Sequence, residues 1–206
     1  MTTRTITSSN LAGLAADLLS QGTRVIAPAL AADGLVDYRW IERFEDALPG
    51  GALPRRSLKE FLLPPTEPLL AWKQGKDQVH LREVPITFGP RVVIGARPCD
   101  AAALEVLDRV MNWDYRDELW FGRREATTIV TMACSGVDES CFCTAVGLAP
   151  DTSKGSDLLL IPVAQDYHVE VLTSKGEALI AAHETRFGPG GDAAAATAFR
   201  GAAHDR

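Results

Sequence analysis

Apolar positions in the stretch SSNLAGLAADLLSQG fall at Leu11, Leu14, Ala15, Leu18 and Leu19, the i, i+3, i+4, i+7, i+8 spacing of one helical face. Ser9 or Asn10 is placed to cap this helix, and Gly22 to end it. The run TRVIAPAL, broken by a proline, and GLVDYRWI, rich in β-branched and aromatic residues, predict two strands joined by AADG. Five prolines from Pro49 to Pro68 then allow at most a short helix at SLKEF. DQVHLREVPITF alternates as an exposed edge strand does, whereas RVVIG is continuously apolar, the mark of a strand buried on both faces. ARPCDAAALEVLDRVMNW turns at Pro98 into a helix whose predicted apolar face is Ala103, Leu104, Leu107 and Val110 or Met111. ATTIVTMA predicts a second buried strand, DLLLIPV and the alternating YHVEVLTSKG two more, and EALIAA a short helix. Residues 187–206 contain a glycine-proline joint and an alanine run that is helical by propensity. With little apolar face to dock, they read as a flexible or partner-docking tail. The pattern is that of one mixed α/β domain over residues 1–206, with a central sheet, helices packed on it and a cysteine-rich loop.

A chain of 206 residues is long enough for one substantial domain, and 46% hydrophobic with 23% charged residues is ordinary for a packed one. The formal charge of -6 argues against nucleic acid as the main partner, because neutralising phosphates needs a basic surface. No window approaches 18 consecutive apolar residues, and MTTRTITSSN lacks the apolar centre of a signal peptide. The expectation is a cytoplasmic protein without membrane insertion. In that compartment the four cysteines are expected as thiols or ligands, not disulfides.

Those cysteines carry the candidate chemistry. Cys99 falls where a buried strand hands over to a helix N-terminus, and the free N–H groups and helix dipole there favour a thiolate. Cys134 follows the second buried strand, so the two thiols share one sheet edge if the strands are parallel neighbours. Cys141 and Cys143 flank Phe142 in a loop that also holds Gly136 and Ser140. The spacing C-x34-C-x6-C-x-C is neither the paired C-x2-C of zinc ribbons nor the run of bacterial ferredoxins. Three cysteines within ten residues point to a metal or cluster site, the other reading being free buried thiols. His80, His168, His183 and His204 all lie outside the loop, which leaves an all-cysteine zinc site and a 4Fe-4S cluster both open. Arg97 is placed either to offset a cluster's negative charge or to pair with Asp100 or Asp108. Phe142 is placed either to shield a cluster from water or simply to pack. Trp113, Tyr115 and Trp120 form an aromatic group read chiefly as core. No dinucleotide fingerprint or nucleophile–base constellation stands out.

VIGARPCDAAALEVLD, RRE, CFCTAVGLAP and GSDLLLIPVAQDYHVEVLTSKGEAL occur in that order, after RVIAPALAADGLVDYRWI and SLKEFLLPPTEPLL. In these segments the chain resembles the N-terminal domain of the beta subunit of cytoplasmic nickel-iron hydrogenases (sulfhydrogenases), and it is similar also to the corresponding iron-sulfur component of anaerobic sulfite reductase. The resemblance implies an iron-sulfur electron carrier, itself without bond chemistry. It would work between a flavin- and NAD(P)H-linked diaphorase-type subunit and a catalytic subunit of hydrogenase or reductase type. It also implies one 4Fe-4S cluster on Cys99, Cys134, Cys141 and Cys143, with Arg97 and Phe142 beside it. Arg123 and Arg124 match the family's paired arginines, facing the cluster loop or a partner, with a solvated reading expected for at least one. Family members usually continue into a ferredoxin-like domain that is absent here. The expectation is a short version handing electrons to a separate ferredoxin-like subunit, the other explanation being truncation. A structural zinc scaffold and a thiol-based redox protein are the alternatives.

Overall fold

The computed structural model describes residues 2–50 and 53–205. Its regular elements in chain order are β1 (Thr2–Thr7), α1 (Ser8–Ser20), β2 (Arg24–Leu30), β3 (Val36–Ile41), β4 (Leu70–Gln74), β5 (Val79–Glu83), β6 (Arg91–Ala96) and α2 (Pro98–Val110). They continue with α3 (Glu118–Glu125), β7 (Thr127–Met132), β8 (Leu158–Val163), β9 (Asp166–Val171), α4 (Ser174–Ala182), β10 (Gly188–Pro189) and α5 (Ala193–His204). Eight strands form one mixed sheet in the order β10-β1-β9-β8-β7-β6-β2-β3. At its centre β2, β6, β7 and β8 run parallel. Antiparallel β9, β1 and β10 extend one side and β3 the other. The chain is a mixed α/β domain.

The central strands are apolar because helices cover both faces. On one face Val92, Ile94, Val130, Leu158 and Leu160 pack with Leu11, Leu14 and Leu18 of α1 and with Leu179 and Ile180 of α4. On the other, Ile26, Val93 and Ile129 meet Ala101 and Leu104 of α2 and Trp120 of α3. Farther along that face, Leu159 and Ile161 pack with Ala133 and Ala196.

Several elements depart from the pattern-based expectation. Helix α1 starts at Ser8, because Thr7, not Ser9 or Asn10, is the cap: its Oγ1 accepts the Asn10 N–H at 3.1 Å. Strand β1 carries one fully buried apolar side chain, Ile6, and is held by backbone pairing to β9 and β10. The edge strand expected in DQVHLREVPITF is β5, paired with β4 in a two-stranded sheet apart from the main one. SLKEF forms a 3-10 turn over Leu58–Phe61. Helix α2 buries Ala101, Ala102 and Leu104, and of the expected face Leu107 and Met111 also pack against that cluster, leaving Val110 exposed. Helix α3 is capped by Asp117, whose carboxylate accepts the Leu119 and Trp120 N–H groups, both at 2.9 Å. Of the three aromatics grouped with it, only Trp120 is core; Trp113 and Tyr115 are exposed.

The alanine run at the end of the chain is helix α5, docked through Ala196 and Ala203. Arg200 adds ion pairs to Glu170 and Asp151, each at 2.8 Å. Alanines bring little hydrophobicity per residue but let the helix lie close to β8, which the count of large apolar side chains does not register.

Candidate cysteine site

Parallel β6 and β7 are hydrogen-bonded neighbours, paired from Arg91 with Thr127 to Ala96 with Thr131. The condition for Cys99 and Cys134 to share a sheet edge is therefore met. The end of β6 is re-aimed by an irregularity between Ile94 and Ala96, where Gly95 has φ +84°. A Cβ there would press on Pro49 at 3.1 Å and on Pro28 at 3.3 Å, so glycine is required on both counts. The parallel ladder from β2 to β6 covers Arg24 to Ile26, ending before Pro28.

Beyond the bulge, Arg97 caps α2, with Pro98 at the first helical position and Cys99 next. A buried polar node fixes this turn. Asp100, nearly inaccessible, accepts from Tyr38 Oη at 2.9 Å, Arg97 Nε at 3.0 Å and Ser57 Oγ at 3.1 Å. The Tyr38 hydroxyl in turn accepts the Arg97 N–H at 3.0 Å. Burial, and secondly the Asp100 carboxylate, push the Tyr38 phenol well above its ordinary value, so it stays a donor. Burial opposes the charge on Arg97, but Asp100 and then Cys99 beside it leave its pKa raised. Of the two roles open to Arg97, the ion pair with Asp100 is formed, while the same guanidinium also acts electrostatically on Cys99 and Cys134.

From the end of β7 the backbone of Cys134 is tied to the far side of the loop, its N–H donating to the Pro150 carbonyl at 2.8 Å. Its thiol donates to the Gly136 carbonyl at 3.0 Å. Asp138 then organises a tight turn: one carboxylate oxygen accepts the Ser140 N–H at 2.9 Å and the Ser140 hydroxyl at 2.6 Å, which lowers its pKa. The Asp138 N–H points at Cys141 Sγ, 3.3 Å away. Cys143 opens a 3-10 turn through Val146 that closes on Gly147, at φ +73°. The loop's only charged side chains after Cys134 and before Pro150 are Asp138 and Glu139.

All four cysteines are free thiols, Cys141 exposed and the other three half-buried. Cys99 lies within electrostatic reach of Cys134, and Cys134 of Cys141 and Cys143. Burial raises the thiols of Cys99 and Cys134, against the expectation that the helix N-terminus makes Cys99 a ready thiolate; desolvation at the strand-helix junction outweighs Arg97 and the Asp100 N–H. Phe142 is 68% exposed and belongs to none of the core clusters. The partners of Arg123 and Arg124 lie outside the cysteine loop, and Arg123 is buried while Arg124 is partly exposed. Arg123 is buried against Glu67 and the Leu62 carbonyl; Arg124 binds Asp108 at 3.3 Å.

As donors, four thiols at one end of a sheet with no histidine among them match what a 4Fe-4S cluster takes, so the residues fit that group in kind. Among the described residues, no three His, Cys, Asp or Glu side chains stand grouped as for a metal ion. The Tyr38, Ser57 and Asp100 node had no signal in the sequence, since its members come from three separate segments. No protein-family model, curated protein or solved structure matches the chain. Among the described residues no helix is long and apolar enough to cross a membrane.

Proposed function

We propose that this chain is a cytoplasmic electron-transfer subunit that holds one 4Fe-4S cluster through Cys99, Cys134, Cys141 and Cys143. It would serve an oxidoreductase complex, between a flavin- and NAD(P)H-linked subunit and a catalytic subunit of hydrogenase or sulfite-reductase type. One observation carries the reading: adjacent parallel strands lead Cys99 and Cys134 to the same edge, from which the loop bearing Cys141 and Cys143 departs. When bound, the cluster supplies a centre that takes up and gives back single electrons. The chain's own residues supply the rest. Asp100, fixed by Tyr38 and Ser57, orients Arg97, whose positive charge beside Cys99 and Cys134 favours the more negative redox state. The Asp138 turn presents Cys141 from an exposed loop, so closing four ligands requires that loop to fold inward, with binding and ordering coupled.

The test is iron, sulfide and zinc content with optical and EPR spectra on anaerobically purified protein. The reading requires iron and acid-labile sulfide, with a broad band near roughly 400 nm that bleaches on reduction. Cys143→Ser should lose the full cluster. Stoichiometric zinc without visible absorbance would replace the carrier with a structural scaffold, and metal-free protein with alkylatable Cys99 would replace it with a thiol protein.

A further inference from the structure

Two arginines begin adjacent parallel strands: Arg24 opens β2, Arg91 opens β6, and the two are register partners. Their backbones are therefore about 5 Å apart, with both side chains on one face of the sheet. On that face both reach Trp40 of β3. The Arg24 guanidinium lies 3.6 Å from the ring centroid and that of Arg91 5.8 Å, while Phe61 meets the indole edge-on at 5.2 Å. Arg91 Nη1 donates to the Phe61 carbonyl at 3.0 Å, and its Nε is buried without a partner. Among the described residues neither arginine forms an ion pair. Glu67, the carboxylate that acts on Arg91, is held by Arg123. Burial first, then Arg24 and Arg123, push the Arg91 guanidinium below its ordinary value.

Like charges opposed across a strand pair are unfavourable, and this chain does not lack the means to neutralise them, with 27 acidic residues against 21 lysines and arginines. Stacking on Trp40 accounts for the place of Arg24, but it leaves both positive charges unanswered. We infer that Arg24 and Arg91, beside Trp40, bind a phosphate group, free or carried on a small molecule. Guanidinium forks match phosphate oxygens in shape as well as charge. The number of charges selects the anion. A phosphate monoester at neutral pH carries close to two negative charges and three acceptor oxygens, whereas a carboxylate balances only one of the two arginines. Trp40, 36% exposed, leaves an apolar surface next to the phosphate for whatever carries it. The inference does not rest on the cysteine reading: the arginines begin their strands, whereas Cys99 and Cys134 follow the ends of β6 and β7, at the opposite edge of the sheet.

Calorimetric titration and thermal melts of the full anaerobically purified chain test it, with inorganic phosphate and phenyl phosphate as probes and sodium chloride at matched ionic strength as the reference. Phosphate should bind with a Kd below about 1 mM and, at ten times that concentration, raise Tm by about 3 °C. Acetate should bind at least ~10-fold more weakly. Arg24→Gln should weaken phosphate binding at least ~10-fold with an unchanged far-UV circular dichroism spectrum, because Arg24 is exposed and belongs to no core cluster. Arg39→Gln removes the same charge from the opposite face of β3, next to Trp40 in the chain, and should bind as the wild type does. Tighter binding of phenyl phosphate than of inorganic phosphate would support an ester as the ligand, and equal binding the free ion. Phosphate acting no differently from chloride would overturn the inference. So would an Arg24→Gln variant that binds as the wild type does, or an Arg39→Gln variant weakened as much as Arg24→Gln, which would reduce the site to diffuse surface charge.

Discussion

Tyr38→Phe removes one oxygen from the node beneath Arg97 and leaves every carbon in place, so it isolates the hydrogen bonds. The lost hydroxyl takes with it the donor to Asp100 Oδ2 at 2.9 Å and the acceptor of the Arg97 N–H at 3.0 Å. Asp100 keeps Arg97 and Ser57, so its carboxylate remains served. The Arg97 N–H has no other acceptor in the node, and leaving one buried donor unserved costs about 1–3 kcal/mol. The expected loss is therefore ~2 kcal/mol, or roughly 4–8 °C in Tm for a chain of this size. Asp100→Ala should cost more, about 3–5 kcal/mol, since it strips the half-buried Arg97 of its counter-charge. The two changes act on one network, so the double variant should fall short of their sum by at least ~1 kcal/mol. Urea unfolding of the four proteins, made and measured anaerobically, gives all three quantities. A loss below about 0.5 kcal/mol for Tyr38→Phe, or strict additivity in the cycle, would refute the claim that the node holds the first turn of α2.

Gly155 has φ +75°, and a Cβ there would overlap the Ala101 carbonyl, whereas Gly22 at φ +81° has open space around it. Thermal melts should therefore show Gly155→Ala losing more than ~3 kcal/mol and Gly22→Ala only about 1 kcal/mol, the strain without the clash. Ala196→Glu places an unpaired carboxylate between α5 and β8, and should cost at least ~2 kcal/mol; an unchanged melting curve would mean that α5 does not dock there. Hydrogen bonds from Arg186 at 2.8 and 2.9 Å hold the Asp17 carboxyl below the usual carboxylate range. The stabilisation is complete above the unfolded value of about 3.9 and is lost as pH falls through the lower folded value. The Tm gap between wild type and Asp17→Asn should accordingly be widest near neutral pH and shrink in acid; a gap that widens as pH falls would contradict the pairing.

Strands whose faces are both covered were legible in the sequence, because burial leaves no choice of residue: Val92 to Ile94 and Ile129 to Met132 are apolar throughout but for Thr131. That β6 and β7 lie side by side was not written in either segment, since pairing is a property of the whole sheet. The thiols could be found by composition, but not their surroundings. Desolvation of Cys99 depends on the packing of a strand-helix junction, and the exposure of Phe142 on where the loop stops. Tyr38 and Asp100 are 62 residues apart, beyond any local pattern. Arg123 shows the reverse error. An arginine reads as surface until a carbonyl and a carboxylate from the proline-rich segment are seen to enclose it. In β1, threonines and one arginine give almost no hydrophobic signal, and the strand exists because its neighbours need a backbone partner.

The partners of β1 lie far along the chain. Thr2–Thr7 pairs with Asp166–Val171, so β1 waits for a strand synthesised about 160 residues later. Closing so long a loop is slow, and contacts of this range form late in folding. During synthesis β2, β3, β6 and β7 can assemble while β1 is still unpaired, and Cys134, Cys141 and Cys143 leave the ribosome before β9 does. The thiols are thus present in the nascent chain ahead of the finished sheet that carries them. In that interval even the partial cover that the finished fold gives Cys134 and Cys143 is missing, and their protection from oxygen and stray metal falls to the cell.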